Sequence, residues 1–136
     1  MASIASTLAK LSMDVCMYAS QNFSFLKLPA DLTTGSSIMP HKQNPDVFEL
    51  IRAKCNRIQA LPNELSLMLT NLTSGYHRDL QLLKECLFPV IDSLMECLDV
   101  MHFMLQKIEV KDGLLDNNMY DCLFTVEEAN RLATQG

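Results

Sequence analysis

Residues 79–108, DLQLLKECLFPVIDSLMECLDVMHFMLQKI, decide the fold, because they carry a single apolar stripe from one end to the other. The stripe repeats every seven residues at Leu80, Leu87, Leu94, Met101 and Ile108, with Leu83, Ile91, Leu98 and Leu105 on the same side. This spacing predicts one long α-helix that needs partner helices along its whole length. Pro89 should bend the helix without ending it.

Two partner helices are predicted upstream of this stretch. Residues 2–22 place apolar side chains at helical spacing. A second helix should begin at Asn44-Pro45, because Asn caps helices well and Pro suits the first helical position. Pro62 either ends this helix or bends it, and the apolar spacing beyond it favours a bend. A turn around Gly75 then leads to the long third helix.

The tail of the chain has a different pattern. Residues 110–113 break the helical spacing, and Asp116 is predicted to cap a short helix through Phe124. Residues 125–128, TVEE, match a capping box in which Thr and Glu satisfy each other's helix-end amides. The sequence therefore predicts a last helix that ends at Gly136.

Composition supports an all-α fold. Apolar residues make up 49% of the 136 residues, with only four Gly and five Pro, so long helices are favoured over many short strands. The long helices outnumber the partners that one chain of this length offers. We therefore expect a long-helix bundle that is completed by other chains or by sequence outside these residues.

Charge and cysteine usage exclude several classes of protein. The net charge is −5 without a Lys/Arg cluster, which argues against a nucleic-acid surface, and no apolar run reaches 18 residues, which argues against a membrane-spanning helix. The first residues do not resemble a secretory signal. Five cysteines, none in a C-x-x-C pair, and three well-separated histidines predict reduced, buried thiols in a cytoplasmic protein without a metal site.

Residues 23–45 contain a long loop without regular period, and its segment 31–45 gathers groups that suit one kind of chemistry. Gly35 frees the backbone beside the hydroxyls of Ser36 and Ser37, and Lys42 adds a cation. The amides at the start of the next helix favour anions. Together these groups could remove a proton from a carbon next to a carboxylate and stabilise the resulting dianion. The alternative is an ordinary solvated surface loop.

The segment GSSIMPHKQNP, residues 35–45, resembles the G-S-S-x-M-P-x-K-x-N-P signature of the fumarase/aspartase/argininosuccinate lyase superfamily. The resemblance implies that this loop closes over the substrate and that Ser36 acts as the general base. It implies that Lys42 and Asn44 stabilise the intermediate and bind a carboxylate, while Ser37 supports the loop. At two positions the chain departs from the usual pattern, with His41 in place of Gln and Gln43 in place of Lys.

Two further segments are similar to argininosuccinate lyases in particular. Residues 45–54, PDVFELIRAK, match the helix after the loop, which implies that Glu49 orients Lys42. Residues 76–85 match a Y-x-x-D-L-Q-x-x-K-E pattern, which implies that Tyr76, Gln81 and Lys84 bind argininosuccinate. Without the resemblance, Gln81 and Lys84 would be read as a solvated helix face.

The resemblance covers almost the whole chain and implies its domains and activity. Residues 1–109 would be part of the central helical-bundle domain, and residues 110–136 the start of a small helical C-terminal domain. The full-length protein would be a homotetramer that splits argininosuccinate by anti β-elimination into arginine and fumarate, without a cofactor, with each site built from three subunits. The family's S-R-N-D and T-H-x-Q segments do not occur here, so we expect these 136 residues to be an inactive piece. A related fumarate-releasing lyase and a non-catalytic helical scaffold remain the alternatives.

Overall fold

A computed structural model describes residues 1–35, 37–39 and 42–135, and these residues are mainly helical. The five α-helices of this described part are α1 (Ala2–Tyr18), α2 (Asp46–Ile58), α3 (Leu61–Met68), α4 (Leu83–Leu105) and α5 (Thr125–Gln135). Four strands of two residues each form two antiparallel ladders: β1 (Leu26–Lys27) pairs with β4 (Glu109–Val110), and β2 (Thr34–Gly35) pairs with β3 (Gln43–Asn44). The predicted all-α class is confirmed.

The core lies between α1, α2 and α4. Its buried side chains recur at helical spacing: Ala5, Leu8, Ala9 and Val15 from α1, Phe48, Ile51, Cys55 and Ile58 from α2, and Leu94, Cys97, Met101 and Met104 from α4. Burying one large apolar side chain stabilises the fold by roughly 1.5–3 kcal/mol, so this set of contacts holds the three helices together.

Only part of the long apolar stripe on α4 is buried in the chain. Leu94 and Met101 of the predicted stripe are in the core, whereas Ile91 and Leu105 are exposed. Phe103 on the same helix is also exposed. The described residues therefore cover one side of the stripe and leave apolar surface beside it.

α4 runs antiparallel to α2 and α3. The Cys86 thiol at the start of α4 donates to Glu64 on α3 at 3.4 Å, and Lys54 on α2 pairs with Glu96 at 3.0 Å further along. Past the end of α4, β4 returns to β1. The bundle thus has a loop end, which contains residues 26–35, 42–49 and 105–111, and a turn end, which contains residues 69–83. The 23 residues of α4 span about 35 Å at 1.5 Å per residue.

The start of α2 differs from the prediction. The helix begins at Asp46 rather than at a capping Asn44, and no side chain caps it. Asn44 instead lies in β3, where its backbone pairs with Thr34. The predicted Asn cap was wrong because a non-local ladder holds this residue in an extended conformation.

The predicted bend at Pro62 was also wrong. α2 ends at Ile58, residues 59–60 form a turn, and a separate α3 begins at Leu61. Pro62 occupies the first turn of α3, where the amide that proline lacks has no helical partner to lose.

The other helix ends are close to the predictions. α1 ends at Tyr18, four residues before the predicted end at 22. The predicted turn around Gly75 is present, and a 3-10 segment (Arg78–Leu82) precedes α4. Pro89 lies inside α4 without ending it, as predicted.

The caps predicted for the tail are not formed. Short 3-10 turns replace the predicted helix after Asp116, and the side chain of Asn117, not Asp116, accepts the amide of Met119 at 3.0 Å. At the last helix, the Thr125 hydroxyl donates to a backbone carbonyl at 2.9 Å, while the Glu128 carboxylate pairs with an arginine in the next turn. α5 forms nonetheless, and the predicted end at Gly136 lies outside the described residues.

Candidate functional site

A short ladder closes the base of the signature loop. Thr34 pairs with Asn44 and Gly35 with Gln43, and the Thr34 hydroxyl donates to the Asp46 carboxylate at the start of α2. This ladder and hydrogen bond form the loop stem. They hold the two ends of the loop together at the start of α2.

The loop above the stem is only partly described. Ser36, the predicted base, and His41, one of the two departures from the signature, lie outside the described residues. Ser37 is exposed, and the backbone amide of Lys42 donates to the Met39 carbonyl at 2.9 Å. This bond joins the backbone of the predicted catalytic lysine to Met39.

A cleft of about 890 Å³ opens beside the loop stem. Its lining includes Lys42, Asn44 and Glu49, three of the predicted site residues. Glu49 lies in the first turn of α2, and its side chain lines the cleft together with Asn44 of β3. The structure therefore brings together Lys42, Asn44 and Glu49, whereas Ser37 does not line the cleft.

Part of the cleft lining was not predicted from the sequence. This part includes Cys16 from the last turn of α1, Lys27 from β1 and Lys111, which follows β4. Burial raises the pKa of the Cys16 thiol, and the positive charge of Arg52 opposes that rise, so this thiol is mainly neutral at physiological pH. No motif marks Lys27 and Lys111, because the ladder between β1 and β4 joins segments that are far apart in the chain.

The second predicted group lies at the turn end of the bundle. The Gln81 amide donates to the Tyr76 hydroxyl, Tyr76 is 68% exposed, and Lys84 is also exposed. None of the three lines the cleft. α2 and α3 together run from residue 46 to residue 68, which at 1.5 Å per residue places this group roughly 30 Å from Glu49. Within one chain, the two predicted halves of the site are therefore separate.

The cysteines are free thiols in different environments. Cys55 and Cys97 are buried, Cys16 and Cys86 are half-buried, and Cys122 is exposed, so the prediction of burial was wrong for Cys122. Among residues 1–35, 37–39 and 42–135, no group of three or more His, Cys, Asp or Glu side chains is arranged to hold a metal ion. In the same ranges, no helix has the length and apolarity needed to cross a membrane.

The sequence is similar to a family of lyases. A family model described as Lyase matches residues 1–60. Over all 136 residues, the chain is 54% identical to an argininosuccinate lyase of Phocaeicola vulgatus and 53% identical to one of Bacteroides thetaiotaomicron, and it covers 30% of each of those proteins. An argininosuccinate lyase of Ehrlichia canis is 41% identical over 115 residues, which are 84% of this chain and 24% of that protein.

These matches agree with the motifs and with the fold. The signature loop falls within the matched residues 1–60, and the described part of the chain has the helical architecture of the fumarase/aspartase fold. The chain spans about 30% of the length of these curated relatives that it matches over its whole length. It belongs to the lyase family that includes the argininosuccinate lyases.

Proposed function

We propose that the full-length protein containing this chain splits argininosuccinate into arginine and fumarate, a step of arginine biosynthesis in the cytoplasm. The observation that carries the proposal is the identity of 54% over the whole chain to a protein named argininosuccinate lyase. The cleft that gathers Lys42, Asn44 and Glu49 supports it, because this set suits an anionic substrate.

In the proposed mechanism, Ser36 removes a proton from the carbon next to a carboxylate of the succinyl group. The electron pair of that C–H bond moves toward the carboxylate, which becomes a dianion. Lys42, Asn44 and the first amides of α2 stabilise this charge, and one such donor typically contributes 10²–10³-fold in rate. The pair then forms the carbon–carbon double bond of fumarate as the bond to the guanidino nitrogen breaks. That nitrogen takes a proton from an acid outside this chain.

Glu49 has a positioning role in this mechanism. It lines the cleft with Lys42, one helical turn into α2. A carboxylate attracts a nearby ammonium group and so limits the directions in which the lysine side chain points. Ser36 needs a nearby positive charge to act as a base, since a serine hydroxyl alone is a weak one. Ser37 supports the loop that carries it.

The separation of Tyr76, Gln81 and Lys84 from the cleft supports a site shared between chains. We propose that these three residues bind argininosuccinate in the site of a neighbouring subunit of a homotetramer. The apolar residues that α4 leaves exposed, which include Ile91 and Phe103, support the same arrangement, because a partner helix would cover them. We also propose that residues 1–109 belong to the central bundle and residues 110–136 begin a C-terminal domain, since the buried core ends at Met104.

The substrate assignment is tested on the full-length protein by following the absorbance of fumarate. Argininosuccinate, adenylosuccinate and malate are offered separately. We expect fumarate from argininosuccinate at a kcat/KM at least a hundredfold above the other two. Fumarate formed faster from adenylosuccinate or malate would identify a related lyase, and no fumarate from any of them would favour a scaffold.

A mixing experiment tests the shared site. Lys42→Met and Gln81→Ala should each abolish turnover, because each removes one half of every site. In mixed tetramers, some sites combine Lys42 from a Gln81→Ala chain with Gln81 from a Lys42→Met chain. Activity should therefore return when the two variants are refolded together. Mixtures that remain as inactive as the parents would contradict a site shared between subunits.

A further inference from the structure

The lining of the cleft includes two lysines that the proposed mechanism does not use. Lys27 lies in β1 and Lys111 directly follows β4, and both line the same cleft as Lys42. They come from segments that are remote in sequence from the loop. Their presence therefore reflects how the tail folds back onto the bundle and not the signature motif.

A specific backbone arrangement holds these lysines in place. Lys27 is directly opposite Glu109 in the β1–β4 ladder, and the amide of Lys111 donates to the Phe25 carbonyl at 2.9 Å. Because side chains alternate across a strand, Lys27 and Lys111 project to the same face of this ladder. Phe25 is also fixed, since its ring stacks on Tyr18 and meets the edge of Tyr120.

The cleft has a charge opposite to that of the chain. Three ammonium groups, Lys27, Lys42 and Lys111, face one carboxylate, Glu49, whereas the chain as a whole has a net charge of −5. Within residues 1–35, 37–39 and 42–135, none of the three lysines forms an ion pair. Glu109 is directly opposite Lys27 and projects to the same face of the ladder as both lysines, although it does not line the cleft. A cleft lined by one sign of charge concentrates ligands of the opposite sign.

We propose that Lys27 and Lys111 bind a carboxylate of the substrate in the loop cleft and thereby set its preference for dicarboxylates. The excess of two positive charges matches the two carboxylates of a succinyl group. The ammonium groups attract the substrate into the cleft, and they hold the carboxylate that is not next to the carbon that loses its proton. This inference rests on the proposed function for the identity of the ligand.

Binding of succinate, an unreactive dicarboxylate, tests the inference without turnover. The dissociation constant is measured by calorimetry on the full-length protein at low salt and at 0.5 M salt. The variants are Lys27→Gln, Lys111→Gln and the double variant. The matched control is Lys10→Gln, since Lys10 is an exposed lysine on α1 that does not line the cleft. Circular dichroism confirms that each variant is folded.

Each substitution should weaken succinate binding about two- to fivefold at low salt, the range expected for an exposed charge pair, and the loss should largely disappear at high salt. For argininosuccinate, KM should rise by a similar factor while kcat stays within twofold. Wild-type-like binding by the double variant, an equal loss in Lys10→Gln, or no succinate binding by the wild type would overturn the inference. If succinate binding depends on both lysines and argininosuccinate is not split, the proposed function fails and the anion site stands.

Discussion

The hydrogen bond between Thr34 and Asp46 should control how well the signature loop closes. It joins residues on the two sides of the loop stem, next to the ladder between Thr34 and Asn44. Thr34→Val removes the donor and Asp46→Ala removes the acceptor. Either variant lacks the hydrogen bond that ties the base of the loop to α2, so ordering the loop over the substrate costs more free energy. We therefore expect kcat/KM of the full-length enzyme to fall.

The structure sets the expected size of this effect. A hydrogen bond to a charged group contributes about 1.5–3 kcal/mol, and the exposure of Thr34 reduces this to about 1 kcal/mol. Asp46 also contributes roughly 0.3–1 kcal/mol as an acidic residue in the first turn of α2. Thr34→Val should therefore lower kcat/KM about fivefold, and Asp46→Ala, which loses both contributions, about ten- to thirtyfold.

A double-mutant cycle separates the bond from the other effects. The two changes together should cost about 1 kcal/mol less than the sum of the single changes, because the bond is lost only once. Thr33→Val is the matched control, since the Thr33 hydroxyl donates to Ala30 at 3.1 Å and not to Asp46. The reasoning would be refuted if the losses in kcat/KM from Thr34→Val and Asp46→Ala added up without coupling. It would also be refuted if Thr33→Val were coupled to Asp46→Ala as strongly as Thr34→Val is.

Three further predictions concern the stability of the fold. Phe48→Ala should lower the free energy of unfolding by about 3–5 kcal/mol, with Phe48→Leu much milder, because this side chain is 0% exposed between three helices; urea unfolding measures both. Ser12→Ala should raise thermal stability by about 1 kcal/mol, since within the described residues the buried Ser12 hydroxyl has no hydrogen-bond partner; a lower melting temperature would contradict this. Burial and the neighbouring Cys97 thiol raise the pKa of Cys55 from 9.0 to about 11. Above pH 9 the Cys55 thiol of the unfolded state loses its proton, whereas the folded state keeps it until about pH 11. The free energy of unfolding should therefore fall by an amount on the order of 2 kcal/mol as the pH rises from about 9 through about 11. Unfolding curves measured over this pH range should show a smaller loss for Cys55→Ala.

The helices were predictable where their information is local. The heptad spacing of α4 is written in consecutive residues, so its extent could be predicted closely, including the passage of Pro89. The start of α2 could not be predicted, because Asn44 is held by pairing with Thr34 rather than by its own capping preference. The exposed part of the α4 stripe shows the other limit, since periodicity indicates which residues are apolar but not which of them one chain can cover.

The candidate site was predictable to the extent that a motif carries it. Lys42, Asn44 and Glu49 lie within seven residues of each other in sequence and meet in one cleft. Lys27 and Lys111 could not be predicted, because the ladder between β1 and β4 brings them there from distant segments. The distance between the cleft and Gln81 was likewise invisible in the sequence, since it follows from how α2, α3 and α4 pack.

The most direct test of the account is the turnover number of Ser36→Ala in the full-length protein. The account predicts that kcat for fumarate release from argininosuccinate falls by about 10²–10⁴-fold, the range of general base catalysis, while sedimentation shows an unchanged assembly and argininosuccinate still binds. A variant that keeps kcat within threefold of the wild type would place the base elsewhere and contradict the account.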